Sequence, residues 1–282
     1  MSMICRGSFH GCIAIFSATS TTPTFQRQIA HYEQWRKQMK LAILGYGRMG
    51  QEVERQARAR GHDISAIFDV HDNFCSRSNL RDAQVIISFV VADAVLANIK
   101  TAAQLGVPIV EGTTGWYDQL AHLRQIDKIS IIYSPNFSIG VYLFSKLTEY
   151  AARLMAPMSE YDCYVHEFHH AGKADSPSGT AKNLARILLE NWPGKEKAFY
   201  ETCHGVIDPH ALHVTSTRVG RMPGMHAIGF DSEADEILLE HRAHGRTGFA
   251  SGAVRAAEWI AGKSGIFTMD DFMNEVLSQQ HV

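Results

Sequence analysis

The chain has 282 residues, 45% of them hydrophobic and 20% charged, with a formal net charge of −2. This suits a globular enzyme of one large or two ordinary domains, and it gives no general field for nucleic acid or an anionic membrane. No apolar run approaches the roughly 20 residues that cross a bilayer, and five scattered cysteines without a CxxC pair argue against a disulfide framework and for a reducing, cytoplasmic setting.

Residues 1–38 carry no acid before Glu33 and include the aperiodic "FSATSTTPTFQRQ". They are expected to be a disordered extension, or to lie upstream of a true start at Met39. From Lys40 the pattern alternates. "KLAILG" suits a buried parallel strand ending in glycine. "RMGQEVERQARARG" suits a helix, with Met49, Val53 and Ala57 at four-residue spacing and Gly61 as its C-terminal cap. "DISAIFD" and "AQVIISFVV" read as strands, and "ADAVLANIKTAAQLG" as a helix burying Ala94, Leu96, Ile99, Ala102 and Ala103. "VPIVEG" and "ISIIYS" are further strands around a helical "YDQLAHLRQID". Such alternation predicts a Rossmann-like, doubly wound parallel sheet.

After Asn136 the texture changes. A long helix, "GVYLFSKLTEYAARLMA", precedes the strand "YDCYVHEFHH", a loop and the helix "TAKNLARILLEN". The strands "ALHVTSTRVG", "MHAIGF" and "EILLEHRAH" follow, then a helical "GFASGAVRAAEWIAG". The fold class expected is α/β: a dinucleotide-binding domain plus an α+β domain with a mixed sheet.

"GYGRMG" places Gly45, Gly47 and Gly50 in GxGxxG spacing between a strand and a helix. There a tight turn and a helix N-terminus can hold a diphosphate. Asp69 ends the second strand 19 residues beyond Gly50, where an acid accepts from ribose hydroxyls. Its charge opposes a 2′-phosphate, so NADH is favoured over NADPH, with His71 nearby leaving dual use open. "EGTTGW" and "SPNFSIG" follow the fourth and fifth strands, at the strand ends where open α/β sheets bind ligands.

The loop "EFHHAGKADSPSGTA", Glu167 to Ala181, carries the chemistry. Metal binding by His166, His169 and His170 is disfavoured, because neighbouring strand residues face opposite ways and no ligand spacing accompanies them. A purely structural role suits His166 but leaves Lys173 and Ser178-Gly179-Thr180 unexplained. A site for an anionic substrate explains all of them. A histidine gives a proton, Lys173 a fixed charge, and Gly179 and Thr180 the N–H groups of a helix start. Pro177 pre-sets the chain before that helix, and Asp175 orients Lys173 or caps the turn.

This loop closely resembles the E-x-H-H-x-x-K-x-D-A-P-S-G-T-A signature of the dihydrodipicolinate reductase family. The resemblance runs from Met39 nearly to the C-terminus and includes "GYGRMG", "GTTG", "SPNFSIGV" and "GRTGFASGAVRAAEW". It implies that His169 donates a proton beside an essential Lys173, and that His170, Gly179 and Thr180 bind substrate carboxylates. Gly45, Tyr46, Gly47, Arg48, Met49, Gly50, Asp69, Gly112, Thr113, Thr114, Ser134, Pro135, Asn136 and Phe137 would hold NADH or NADPH. It also implies a division into residues 39–136 plus 246–282 and residues 137–245, with Arg246 and Phe249 at the return, and a homotetramer built on the second sheet. The reaction implied is reduction of a small dicarboxylate, 4-hydroxy-tetrahydrodipicolinate, to tetrahydrodipicolinate on the route to diaminopimelate and lysine. Ser176 departs from the signature's alanine. Ser88, Val90 and Ala92 stand where the family shows a D-F-T-x-P-x-A-like strand end, with Phe89 kept. An aspartate dehydrogenase-like imine or keto-acid reductase and a non-catalytic dinucleotide sensor are the alternative readings.

Overall fold

The computed structural model describes residues 37–72 and 74–278, so the N-terminal extension lies outside the described residues apart from Lys37 and Gln38. Strand β1 (Lys40–Leu44) explains the first sheet. Leu41 and Ile43 point into one core with Val85, Ile87, Val110 and Ile132, whereas Ala42 and Leu44 point into a second with Ile86, Ile109 and Ile131. A strand buried on both faces needs apolar residues at every position, which is why these segments read as continuous runs rather than alternating ones.

The sheet comprises β1, β2 (Asp63–Phe68), β3 (Val85–Ser88), β4 (Ile109–Glu111), β5 (Ser130–Tyr133) and β11 (Gly265–Thr268), in the order β11-β5-β4-β3-β1-β2. All of its pairings are parallel. Helices α1 (Arg48–Ala59), α6 (Thr247–Ile260) and α7 (Met269–Ser278) cover one face, with Val53, Trp259 and Phe272 in its core. Helix α3 (Ala92–Leu105) and a 3₁₀ helix (Tyr117–Gln125) cover the other; a short α2 (Arg77–Leu80) follows β2. In α3 the buried stripe is Val95, Ile99 and Ala102; of the five residues expected there, Ala94, Leu96 and Ala103 are only half-buried. The 3₁₀ geometry of the segment expected as an ordinary helix follows from Leu120, Leu123 and Ile126. Their three-residue period eclipses in a 3₁₀ turn, placing all three on one side. Helix α1 ends as expected on Gly61 (φ +88°): Gly61 N–H donates to Arg58 O and His62 N–H to Ala57 O, closing a Schellman motif.

The second sheet runs β10-β9-β6-β8-β7 and is mixed. Its strands are β6 (Asp162–His169), β7 (Lys197–Phe199), β8 (Ala211–Arg218), β9 (Met225–Asp231) and β10 (Glu236–Arg242). β6 and β8 are parallel, while β9 is antiparallel to both β6 and β10. Helices α4 (Ile139–Met155) and α5 (Gly179–Asn191) pack on one face, around Phe144, Val165, Leu184 and Phe230. On β6 the alternate residues Tyr164, His166 and Phe168 face the other way and stay half-exposed. Ile237 and Leu238 of β10 are exposed.

Candidate active site

The glycine loop sits where β1 has β2 on one side and β3 on the other, the point at which strand order reverses and such sheets bind ligands. Four loops there are stitched edge to edge by backbone bonds. Gly45 N–H donates to Phe68 O, Phe89 N–H to Leu44 O, Gly112 N–H to Ser88 O and Ser134 N–H to Glu111 O, at 2.8–3.2 Å. The ladder continues past the strands and lines up Gly45, Phe89, Gly112 and Ser134 along one rim. Gly45 has φ +83°, and a Cβ there would lie 2.2 Å from Phe89 O. No side chain fits that position.

Around Gly47 the opposite holds. It caps α1, a Cβ there would meet nothing within 4 Å, and no acid stands in the first turn. The free N–H groups and dipole of α1 thus face open space, a cradle that fits a dinucleotide diphosphate. Tyr46 turns its hydroxyl to Glu54, so it braces the loop on α1. Asp69 is exposed just beyond β2, its N–H held by Asp72 Oδ2 at 2.7 Å.

Two cavities meet at this rim. One, of about 380 Å³, is lined by Gly47, Arg48, Met49, Thr113, Thr114 and Arg246 among others. The second, of about 420 Å³, lies between the two sheets, bordered by Pro135, Asn136 and Phe137 on one side and His170, Arg221 and Pro223 on the other. Met49, Phe89, Gly112 and Arg246 belong to both, and Phe249 to the second. A larger hollow of about 590 Å³ runs along β2 and α2 and holds none of the expected site residues. Gly112 is a close-approach position: a Cβ there would lie 2.1 Å from the Phe89 ring.

Not every expected residue opens on these cavities through its side chain. Ser134 is buried, its hydroxyl donating to Asn136 O and accepting from Asn136 N–H. Thr113 is buried too; its N–H donates to Glu111 Oε1 at 2.8 Å and its Oγ1 accepts from Val90 N–H at 3.0 Å. The Phe137 side chain belongs to the core. Glu111 is fully buried directly across from Ser88 in the β3–β4 register. The carboxylate absent from position 88 therefore stands on the neighbouring strand, and burial pushes the Glu111 carboxyl above its usual range.

Strand β6 sends His169 and His170 to opposite sides, as its period requires. His170 lines the inter-sheet cavity. His169 lies one layer deeper, 7% exposed, with its Nε2 3.1 Å from where a Cβ on Gly224 would stand. Burial pushes the His169 imidazole down to about 4; Glu167 opposes the shift, while His226, Lys173 and Arg218 add to it. Lys173 pairs with Asp175 at 2.7 Å, and this bond holds the aspartate below the ordinary carboxylate range.

Ser178 caps α5: its Oγ accepts from Ala181 N–H at 3.1 Å, and its own N–H donates to Glu167 Oε1 at 3.0 Å. Helix geometry then leaves the N–H groups of Gly179 and Thr180 for a ligand. Nothing would lie within 4 Å of a Cβ on Gly179. Sequence reasoning gave no role to Glu167, Arg218 or His226. Arg218 and His226 come from β8 and β9, the strands flanking β6, and no local spacing announces them. Glu167, His169 and His226 offer ligand atoms within 4.8 Å of one another. The carboxylate already carries the Arg218 guanidinium at 2.9 Å, so one of its oxygens is committed to a fixed cation.

Comparison with known proteins places the chain. Models of the dihydrodipicolinate reductase N-terminus and C-terminus match residues 39–137 and 140–273. A 4-hydroxy-tetrahydrodipicolinate reductase of Christiangramia forsetii is 40% identical over 84% of this chain and 99% of its own length. The chain belongs to the dihydrodipicolinate reductase family. A second relative of the same name, from Archaeoglobus fulgidus, is 39% identical over 83% of this chain and all of its own. A dipicolinate-bound dihydrodipicolinate reductase from Paenisporosarcina sp. TG-14 shares the fold, with TM-score 0.65 at 22% identity over 84% of this chain and 100% of that one. Membership in the reductase family makes the chain an oxidoreductase of the α/β class expected from its sequence.

Proposed function

We propose that this member of the family reduces 4-hydroxy-tetrahydrodipicolinate to tetrahydrodipicolinate, the diaminopimelate-route step towards lysine, with His169 as proton donor and Lys173 as its partner. The observation that carries the reading is the continuity of the two cavities through Met49, Phe89, Gly112 and Arg246. It joins a diphosphate cradle to a wall carrying the His170 imidazole and the Arg221 guanidinium. Bound NAD(P)H supplies the hydride. The chain's own residues do the rest. Gly179 and Thr180 N–H groups receive one substrate carboxylate at the α5 terminus, where the dipole favours an anion. His170, Lys173 and Arg221 supply cationic or hydrogen-bonding groups for the other. His169 gives one proton to the carbanionic centre left by hydride addition. The 4-hydroxyl leaves as water, so one hydride and one proton enter for one water lost.

Residues 39–136 plus 246–282 form the dinucleotide domain and 137–245 the substrate domain in this reading. Exposed Asp69 favours NADH through repulsion of a 2′-phosphate. The half-exposed face of β6 suits a homotetramer built sheet against sheet, and the working compartment is the cytoplasm. The comparisons give neither an aspartate dehydrogenase-like activity nor a sensor role any support over this one. The test is an initial-rate assay with NADH and NADPH in turn, on substrate freshly generated by the preceding condensation. Oxidation that depends on that substrate supports the reading; dinucleotide binding without turnover refutes it.

A further inference from the structure

Glu167 and His169 lie two apart on β6 and share its buried face. The glutamate is fully buried, and its two oxygens are used differently. Oε1 is saturated: Ser178 N–H donates at 3.0 Å, Ser216 Oγ at 2.8 Å and Arg218 Nη2 at 2.9 Å. Oε2 has no aligned hydrogen bond, and neither has His169 Nδ1. They face each other at 3.4 Å. On its other side Oε2 meets His226 Nε2, also at 3.4 Å, and the two imidazoles stand edge to face with centroids 5.1 Å apart. His226 Nε2 also lies 3.1 Å from Ser178 Oγ, so two imidazoles approach one carboxylate oxygen and the second divides itself between that oxygen and the hydroxyl.

We infer that Glu167 is a positioning residue for the reduction: its Oε2 holds His169 as the Nδ1–H tautomer, so that Nε2 delivers the proton, and His226 limits that hold by competing for the same oxygen. The inference rests on the proposed role of His169 as donor. The partner of one ring nitrogen decides which nitrogen carries the mobile proton. A carboxylate behind the ring also stabilises the imidazolium that must exist before transfer. Oε1 is fixed by three donors from β8 and the α5 cap, so the carboxylate cannot swing away. The charged and titratable groups bearing on His169 are Glu167, His226, Lys173 and Arg218, and of these only Glu167 favours the charged ring.

Two substitutions must then act in opposite directions. Glu167→Gln keeps an acceptor for Ser178, Ser216 and Arg218 but sets an amide N–H group against Nδ1. His226→Leu removes the competitor. The pH dependence of kcat/KM reports the free enzyme's acid, and the rate falls tenfold per unit above its pKa. In E167Q the falling limb is expected to move to lower pH by about one unit, hence about tenfold less activity at a fixed pH on that limb. In H226L it moves to higher pH. The KM for NADH stays at the parent value in both. A purely structural role would lower activity in both variants without opposite displacements. An H226L profile that superimposes on the parent's, or moves down, overturns the inference, and it does so even where E167Q fails to fold. His169→Gln separates the two levels. Retained turnover there sinks the donor assignment itself, whereas lost turnover with unmoved limbs in the other variants sinks only the role of Glu167.

Discussion

Substituting Gly112 by alanine separates the dinucleotide pocket from the fold that carries it. A Cβ at this position would stand 2.1 Å from Phe89 Cε1, 2.5 Å from Cζ and 2.8 Å from Cδ1. The ring is thus more than about 1 Å short of van der Waals contact, and the ring must give. Phe89 is half-buried and borders both cavities, so it can swing into the space that joins them. The cost falls on the ligand. Losing an aromatic contact is worth about 0.5–1.5 kcal/mol, and filling part of the cavity adds steric exclusion. Together they weaken NADH binding about tenfold or more, with global stability within roughly 1 kcal/mol of the parent. Gly45→Ala is the control, because its Cβ meets the immobile Phe89 carbonyl at 2.2 Å at φ +83°. That loop must distort, and melting temperature falls together with binding. Fluorescence titration with NADH beside a thermal melt reads both quantities. Undiminished NADH affinity in G112A would show that Phe89 does not border the bound dinucleotide. A melting loss equal to that of G45A would show that the backbone moved instead of the ring.

Other outcomes are as definite. His169→Gln is expected to lower kcat by about 10²–10⁴-fold, the worth of a general acid, with NADH affinity unchanged by titration; equal loss of both refutes the donor role. Asp69→Asn is expected to lower KM for NADPH relative to NADH in paired initial-rate assays, since it removes the charge opposing a 2′-phosphate; an unchanged ratio places the ribose elsewhere. Glu258, on α6, binds Arg60 through two 2.8 Å hydrogen bonds and His62 at 2.7 Å. Glu258→Ala leaves that guanidinium and imidazole without their anion and is expected to cost about 3–5 kcal/mol, read by denaturant unfolding. Burial alone would raise the Glu258 carboxyl, but His62 and Arg60 hold it below its ordinary value. A lowered folded-state value means its stabilisation is present above the unfolded carboxyl's pKa and lost as pH falls through the folded one. The parent should therefore lose its advantage over E258A in acid, and a constant difference at all pH values would contradict this.

The parallel sheet was legible because its central strands are buried on both sides: "KLAIL" and "QVIIS" carry no polar alternation, and Gly45 punctuates the turn. The loop from Glu167 to Ala181 was legible for another reason. The candidates it offered are local, since the end of one strand and the start of one helix supply His169, His170, Lys173, Gly179 and Thr180. What stayed hidden depends on neighbours distant in sequence. Strand β11 is four residues long and gains its place by pairing with β5 and packing Phe267 against Trp259. The segment 117–125 declared a helix, yet only contact with the sheet selects the three-residue period of Leu120, Leu123 and Ile126. Ser88 looked like a lost acid until the register set Glu111 across from it.

The same distinction explains why His169 rather than His170 gains its character from tertiary structure. The two share one dipeptide and differ in which side of β6 they face. His170 meets the cavity, where its ring can hydrogen-bond an anion. His169 meets Glu167, His226 and Arg218 in a nearly dry layer, where desolvation drives its charged form down to about 4. An acid so weakly protonated near neutrality transfers its proton readily once charged but is seldom charged. A dicarboxylate seated at Gly179 and Thr180 brings two negative charges towards the same layer, which favours the imidazolium. Substrate binding would then recharge the donor as well as place the acceptor. On this reasoning the falling limb of kcat, measured in the ternary complex, lies at higher pH than that of kcat/KM in the free enzyme, and coincident limbs would mean that the carboxylates bind too far away to matter.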